Sequence, residues 1–219
     1  MSVRIAEWAA ELPAGVLAGS VLAVPPEDRL EAAEVLHRAG HKVHADVFLS
    51  AHGEVSGITM EVVQAIMTRV PEAKVDLHII EVARSEKPGA ALIDVEDDVL
   101  KKARELGTVS LTVPQHMLDA PAASVRAARL AGLKVWVEIR PEHCVPEVSA
   151  GIDGGMVMLI PPGSDQSSDH NQLAKVRAMN HLGLPIGVDG GVDGEVARSA
   201  LAAGATHVVS GRALFLDQG

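Results

Sequence analysis

Two histidines and two aspartates are the residues of this sequence best suited to metal chemistry. His44 and Asp46 lie two positions apart in the apolar segment VHADVF, His78 lies in VDLHII, and Asp189 ends PIGVD. Residues two positions apart in a strand present their side chains on the same face. Imidazole nitrogens and carboxylate oxygens are ligands of Zn2+, Mn2+ and Fe2+. Any one of the four alone is typical of a structural polar residue, so the predicted site for one divalent metal ion depends on the whole set.

A repeating pattern along the chain provides the elements that must bring these residues together. A helical stretch ends in glycine or a small residue, and a short apolar segment rich in β-branched residues follows. Gly40, Gly107 and Gly132 stand where the end of a helix needs a residue that tolerates positive φ. Strands are expected in eight segments, 15–23, 38–48, 70–80, 105–113, 130–139, 152–160, 181–188 and 202–210. Helices are expected over 26–39, 58–70, 95–106, 120–131, 170–182 and 193–203.

Eight strands that alternate with helices predict an α/β fold, a single (β/α)8 TIM barrel over residues 1–219. The average of about 27 residues per unit is the size of a minimal βα repeat. An open doubly wound sheet has the same alternation, but no GxGxxG follows the first strand. The segment 81–94 is expected to be a long loop. Because the chain ends soon after the eighth strand, the final helix is expected to be short or missing.

In such a barrel the strands end at one mouth, where enzymes of this fold keep their catalytic residues. His44, Asp46, His78 and Asp189 all fall at or near strand ends, so they are expected to meet there. A charge inside a barrel costs several kcal/mol unless it is paired or bound to a metal. The other histidines, among them His116 and His207, fit no such pattern and are expected at surface or loop positions.

Composition excludes several partners. Nineteen Lys and Arg stand against 29 Asp and Glu, a net charge of -10, with no basic cluster, so binding to nucleic acid is not expected. The single cysteine, Cys144, excludes an internal disulfide and fits a reducing, cytoplasmic compartment. No signal-peptide pattern and no run of 18 apolar residues occurs, so a soluble chain without a membrane partner is expected.

Six stretches of the sequence together resemble the ribulose-phosphate 3-epimerase family. They occur in the family's order and with roughly its spacing over about residues 15–216, and their combination is fairly specific although each alone is weak. The stretches are GSVLA (19–23), HADV (44–47), VDLHII (75–80), MLIPPG (158–163), VDGGV (188–192) and VVSGRALF (208–215). The resemblance implies a barrel of the ribulose-phosphate-binding type and an isomerase that inverts C3 of a ketose phosphate, ribulose 5-phosphate/xylulose 5-phosphate or a relative.

The resemblance also implies a role for each site residue. His44, Asp46, His78 and Asp189 would ligate the metal, and Asp46 and Asp189 would exchange the C3 proton through an enediolate whose charge the metal stabilises. Backbone N–H groups would hold the phosphate, because the sequence shows no basic pocket for it. The positions that match the family's substrate and phosphate contacts are Ser20, His78, Gly163, Gly190, Gly191, Gly211 and Arg212. The family is often oligomeric, so a homo-oligomer is expected.

The sequence departs from the family in segments that cover the substrate. FLSAHGEVSG (48–57) replaces the family's Met-Asp-Gly and the loop after it, GSDQSSDH (163–170) is poorer in glycine, and Thr112 stands where histidine is common. The identity of the sugar phosphate therefore stays open, and a hexulose 6-phosphate is one alternative.

Two other classes of function also stay open. One is a different phosphate-binding barrel, a sugar-phosphate lyase or decarboxylase. The related decarboxylases carry Asp-x-Lys-x-x-Asp at a strand end, whereas Lys42, Lys74 and Lys134 all begin strands here. The other is a barrel without catalysis that binds a sugar phosphate or only a metal. The presence of all four candidate ligands argues against it, because charges inside a barrel are costly without a function.

Overall fold

A computed structural model describes residues 3–50, 52–82, 90–119, 123–145 and 152–216. Its strands are β1 (Leu17–Ser20), β2 (Lys42–Ser50), β3 (Val55–Gly57), β4 (Val75–Val82), β5 (Ser110–Val113), β6 (Lys134–Ile139), β7 (Gly154–Met158), β8 (Ile186–Asp189) and β9 (His207–Ser210). Its α-helices are α1 (Arg29–Arg38), α2 (Met60–Arg69), α3 (Ala90–Leu106), α4 (His116–Asp119), α5 (Ala123–Leu130), α6 (Leu173–Asn180) and α7 (Gly194–Ala202).

Eight of the strands close into a parallel barrel, as the alternating pattern predicts. The strand order is β1-β9-β8-β7-β6-β5-β4-β2, and β1 also pairs in parallel with β2, which closes the cylinder. Leu17, Val43 and Val75 on the strands are fully buried, as are Leu36 and Ile66 on the surrounding helices. The fold is therefore the expected (β/α)8 barrel, with apolar residues between the strands and their helices.

Glycines set the packing at two places in the barrel wall. A Cβ on Gly19 in β1 would lie 2.5 Å from Leu36 Cδ2, so a larger residue here would force the buried Leu36 side chain of α1 to move. A Cβ on Gly154 in β7 would lie 2.7 Å from Trp136 Cδ2. The missing side chain makes room for the indole of Trp136.

The elements differ from the sequence prediction in three places. Residues 55–57, expected in a loop, form β3, which pairs antiparallel with the extended β2, and Gly57 turns at φ 77°. The expected loop over 81–94 is shorter, because β4 continues to Val82 and α3 already begins at Ala90; residues 83–89 lie outside the described residues. The short helix α4 was not expected.

The end of the barrel agrees with the predicted lack of a full closing helix. No α-helix occurs in the described residues after β9, where residues 211–214 form turns. Phe215 instead makes an antiparallel bridge to Ile5, and the N–H of Ala6 donates to Leu214 O at 2.8 Å. Among the described helices, none has both the length and the apolar character that crossing a membrane requires.

Candidate active site

The four candidate metal ligands meet at the C-terminal mouth of the barrel. His44 and Asp46 lie on β2, His78 on β4 and Asp189 at the last position of β8. The register of the β2–β4 pair sets Asp46 opposite His78. One ligand atom from each of the four residues lies within 4.8 Å of the other three. Segments far apart along the chain thus form one compact cluster, as the strand ends predict.

The two carboxylates face the same two imidazole nitrogens. His44 Nε2 lies 3.2 Å from Asp46 Oδ1 and 3.8 Å from Asp189 Oδ2. His78 Nδ1 lies 3.5 Å from Asp46 Oδ1 and 3.4 Å from Asp189 Oδ2. Both histidines are fully buried, and Asp189, with 14% of its side chain exposed, is the most accessible of the four. The cluster is therefore open towards solvent on the Asp189 side.

The geometry and donor set of the cluster fit a divalent cation. In the described part of the chain, neither His44 Nε2 nor His78 Nδ1 has an aligned hydrogen bond, although both are buried. A buried polar atom without a partner costs about 1–3 kcal/mol. Two imidazoles and two carboxylates suit Zn2+, Mn2+ or Fe2+, and such a cation would satisfy both nitrogens. The buried cluster can therefore hold a metal ion, and the identity of the ion stays a prediction.

Without a metal, the cluster favours protonated His44 and His78 and an ionised Asp46. Burial lowers the pKa of His44, but the Asp46 carboxylate and then Asp189 outweigh burial and raise it. Burial also opposes the charged form of His78, yet contacts with Asp189, Asp46 and Glu138 raise its pKa well above the usual value. His44 and His78 in turn hold the pKa of Asp46 far below its ordinary value, against burial. A metal ion must therefore displace protons from the imidazoles.

Glu138 on β6 is a site residue that the sequence reasoning missed. His78 Nε2 donates to Glu138 Oε2 at 2.9 Å, and Glu138 is only 3% exposed. This contact turns the other ring nitrogen of His78 towards the cluster. Arg140 Nε donates to Glu138 Oε1 at 2.5 Å, and Arg140 Nη2 donates to Glu81 O at 2.9 Å. A signal was available, because a charged residue inside the strand segment WVEI breaks the apolar pattern of a barrel interior.

Ser20 and the glycine segments lie at the same mouth. Ser20 Oγ donates to Asp46 Oδ2 at 2.6 Å, so this predicted substrate contact also orients one carboxylate. Gly190 and Gly191 directly follow Asp189 and have φ of 106° and 64°, a conformation that favours glycine. A Cβ on Gly191 would lie 3.1 Å from the nitrogen of Ser168, which places the 163–170 loop against this turn.

The remaining predicted phosphate contacts follow β9 or lie in the 163–170 loop. Gly211 lies beside the end of β1, where its Cβ would be 3.2 Å from Ala23 Cβ, and Arg212 is exposed. Gly163 has φ 77° and lies next to the ring of Phe48. None of the N–H groups of residues 190, 191, 211 and 212 donates to a backbone oxygen among the described residues. Their role in binding phosphate stays a prediction.

A second buried group of possible ligands, inside the barrel, also contains a lysine. His44, Asp76 and His207 offer ligand atoms within 4.8 Å of one another. The Lys42 ammonium lies 3.6 Å from Asp76 Oδ2, so a cation already accompanies this carboxylate. Burial raises the pKa of Asp76, but His207, Lys42 and Ser110 outweigh it and lower the value to about 2.

The expectation that His207 lies at the surface or in a loop was wrong. It is the first residue of β9, it is 4% exposed, and its Nε2 lies 3.1 Å from Asp76 Oδ2. In the segment THVVS, His207 directly precedes an apolar run. From the sequence alone, a polar residue at that position could equally be the last residue of a loop or the first residue of a strand. The carboxylate that holds His207 inside the barrel comes from β4, far away in sequence.

Comparison with known proteins agrees with the fold and identifies the family. The model of the ribulose-phosphate 3 epimerase family matches residues 16–215, which confirms the resemblance seen in the sequence. A comparison with curated protein sequences gives no significant match.

Solved structures share the barrel at low sequence identity. A mutant tryptophan synthase alpha-subunit from Pyrococcus furiosus has a TM-score of 0.63 and 14% identity, covering 91% of this chain and 88% of that one. KGPDC from Streptococcus mutans has a TM-score of 0.58 and 14% identity, covering 91% and 89%. A 3-hexulose-6-phosphate synthase has a TM-score of 0.61 and 19% identity, covering 90% and 89%. At these identities the likeness shows the fold alone.

Proposed function

Because the chain belongs to the ribulose-phosphate 3-epimerase family, we propose that it epimerises C3 of a ketose phosphate with the help of one divalent metal ion. The substrate class is ribulose 5-phosphate/xylulose 5-phosphate or a close relative. The observation that carries the proposal is the convergence of Asp46 and Asp189 on the same two imidazoles. An inversion of this kind needs two proton-transfer groups at one carbon, and two carboxylates around one point meet that need.

In this proposal the two aspartates move the proton. One aspartate, as the carboxylate, takes the proton from C3 next to the substrate carbonyl and becomes the acid. The other enters the step as the carboxylic acid and gives its proton to the opposite face of the planar enediolate, so the pair carries one proton before and after. A divalent cation held by His44, Asp46, His78 and Asp189 would supply the Lewis acidity that makes this proton acidic enough to remove. Ser20 holds Asp46 Oδ2, so Oδ1 stays directed towards the histidines. The exposed edge of Asp189 leaves access for the substrate.

The phosphate would be held by the turns after β8 and β9. The N–H groups of Gly190, Gly191, Gly211 and Arg212 have no backbone acceptor among the described residues. Oriented N–H groups at such turns form anion-binding concavities without needing a basic side chain. The N-terminus of α7 is not part of this proposal, because Asp193 Oδ1 already accepts from the N–H groups of Glu195 and Val196.

The β2–β3 hairpin stands where the family has its loop after the Met-Asp-Gly motif, so it could influence which sugar phosphate the site accepts. A Cβ on Gly57 would lie 2.7 Å from the ring of Phe48, and one on Gly163 would lie 3.7 Å from it. Phe48 thus joins the β2–β3 hairpin to the 163–170 loop at the mouth. A hexulose 6-phosphate stays the alternative substrate, because this cover differs from that of the family.

Incorporation of solvent deuterium tests the proposal. Purified protein with added Mn2+, Fe2+ or Zn2+ is incubated in D2O with pentulose 5-phosphates and hexulose 6-phosphates, and C3 is followed by NMR. We expect exchange at C3 with at least one of them, and we expect Asp189→Asn to lower the rate by at least about a thousandfold, since removal of a catalytic group acting in a unit has effects of this order. Asp98→Asn on α3 is the matched control, and its rate should equal that of the unchanged protein.

Each other outcome has a definite meaning. Metal binding without exchange on any ketose phosphate would leave the alternative of a barrel that only binds. Exchange that survives Asp189→Asn would refute the assignment of this residue to proton transfer. The expected homo-oligomer belongs to the same proposal and is measured by light scattering during size-exclusion chromatography.

A further inference from the structure

A cavity at the opposite, N-terminal mouth of the barrel collects positive charge. We call it the basal cavity; it has a volume of about 300 Å3 and is lined by Lys42, Lys74, Asp76, Ser110, Lys134, Trp136 and His207, among others. Lys42, Ser110, Lys134 and His207 are each the first residue of their strand. The basal cavity is therefore built from strand starts, whereas the candidate active site is built from strand ends.

The lysines of the basal cavity come from separate segments, so the sequence shows no basic cluster there. A second cavity of about 370 Å3 shares Lys134 and adds Arg126 and Arg129. Across both cavities, five cationic side chains face the carboxylates Asp76 and Asp153 among the lining residues. This excess of positive charge stands out on a chain whose net charge is -10. Local positive charge on an acidic protein favours a small anionic ligand over a polyanion, which the remaining surface would repel.

The inner wall of the basal cavity is an ordered polar network. Asp76 accepts a hydrogen bond from the Ser110 hydroxyl and lies 3.1 Å from His207 Nε2. The same carboxylate holds the Lys42 ammonium at 3.6 Å, and the Lys42 side chain is only 23% exposed. Lys42 is therefore a positioned cation and not a freely moving surface lysine.

Lys74 and Lys134, which we call the rim lysines, are exposed residues of the same cavity, and few carboxylates lie close enough to neutralise their charge. Among the described residues, no carboxylate lies within 4.0 Å of Lys74, and the nearest ion-pair partner of Lys134 is Asp153 at 3.8 Å. Trp136 and Met156 form an apolar wall beside these cations, and the indole packs against the His207 ring at 5.7 Å. The cavity thus offers cations for an anionic group and an apolar surface for an attached organic part.

We propose that the basal cavity binds a small molecule that carries a phosphate group, at a site separate from the candidate active site. Lysine ammonium groups bind phosphate as point charges, and a volume of about 300 Å3 matches the smaller class of ligand pockets. None of the four candidate metal ligands lines the cavity, although His44 lies behind its inner wall, next to Asp76 and His207. The proposed binding is carried by the lysines and requires no catalysis.

Tryptophan fluorescence provides a direct test, because the chain has two tryptophans in different places. Trp136 lines the basal cavity, whereas Trp8 packs against Gly194 at the start of α7. In a Trp8→Phe protein the remaining tryptophan reports on the basal cavity. Inorganic phosphate is the probe, titrated at constant ionic strength against chloride, and calorimetry on the same samples provides a second readout.

The expected result is a saturable response to phosphate that depends on the rim lysines. Lys74→Ala combined with Lys134→Ala should raise the apparent Kd for phosphate at least about tenfold. The matched control, Lys101→Ala combined with Arg177→Ala, removes the same charge from exposed helix positions outside both cavities. It should change the Kd by less than about twofold.

Three results would overturn the proposal: no saturable response by fluorescence or heat, an equal Kd in the rim variant, or equal weakening in the control. Equal weakening in the control would show that phosphate binding depends on the overall charge of the protein and not on this cavity. Deuterium exchange at C3, measured on the rim variant, separates the two proposals, since it should be unchanged whichever way the phosphate titration turns out.

Discussion

The contact between Glu138 and His78 makes a quantitative prediction about metal binding. The two oxygens of Glu138 accept from two different donors, Oε2 from His78 Nε2 at 2.9 Å and Oε1 from Arg140 Nε at 2.5 Å. Burial raises the pKa of Glu138, but His78 and then Arg140 outweigh it, so this carboxyl is ionised. Glu138→Gln keeps the shape of the side chain, removes its charge and replaces one acceptor by an NH2 donor. Either His78 Nε2 or Arg140 Nε must then face the new NH2 group instead of an oxygen acceptor.

The size of the effect follows from the strength of these contacts. A hydrogen bond to a charged group contributes about 1.5–3 kcal/mol, and a neutral one contributes about 0.5–1.5 kcal/mol. The difference of about 1–1.5 kcal/mol per contact corresponds to a change of roughly tenfold in affinity. Groups that orient a metal-ligating histidine typically change metal affinity by about 10–100-fold when mutated. We therefore expect Glu138→Gln to weaken divalent-metal binding by about tenfold.

Competition with a chromophoric chelator measures this affinity without any assay of turnover. Mn2+ and Zn2+ are titrated into metal-free protein, and circular dichroism confirms that the variant is folded. Glu142→Gln, the same change on an exposed carboxylate two residues beyond Arg140, is the control and should leave the affinity unchanged. An affinity within twofold of the unchanged protein for Glu138→Gln would show that Glu138 does not position His78 for the metal.

Two further predictions follow from the same structure. Because the pKa values of His44 and His78 are raised in the metal-free cluster, metal uptake should release protons and the affinity should fall as the pH drops below those values; calorimetry in buffers of different ionisation enthalpy measures the release, and a release of zero would contradict it. Asp193 caps α7 through two hydrogen bonds of 2.9 Å, so Asp193→Ala should lower the unfolding free energy by about 1 kcal/mol in urea denaturation, whereas Asp165→Ala, an exposed aspartate in the 163–170 loop, should not change it.

Local patterns account for most of the fold that the sequence predicted. The strands of the barrel are buried on both sides, so they appear as apolar segments that glycine separates from the preceding helices. β3 was missed because VSG has three residues of which only Val55 is apolar, and it is a strand only through its pairing with the extended β2. The early start of α3 at Ala90 was missed because the segment before it carries glycine and proline, which are typical of loops.

The candidate metal ligands could be predicted for a different reason. Charged and imidazole side chains at strand ends violate the apolar pattern, and parallel strands in a barrel all end at one mouth. The same rule applied to Glu138 would have found it, since this residue also interrupts an apolar strand. The neighbour Arg140, two positions along the chain, suggests a local ion pair for Glu138, whereas the contact with His78 comes from β4 and cannot be seen in the sequence.

The amino-acid sequence by itself determined the eight strands of the barrel, most of the helices between them and the four residues that meet at its C-terminal mouth, because periodicity and strand ends are local properties of the chain. Only the tertiary structure decided which nitrogen of each histidine faces the cluster, that Glu138 holds His78 and that His207 is buried beside Asp76. It also decided that Lys42 and Lys134, at the starts of β2 and β6, share one cavity with Lys74, which directly precedes β4. Each of these depends on side chains from segments far apart in sequence, and their distances follow from strand register and the closure of the barrel.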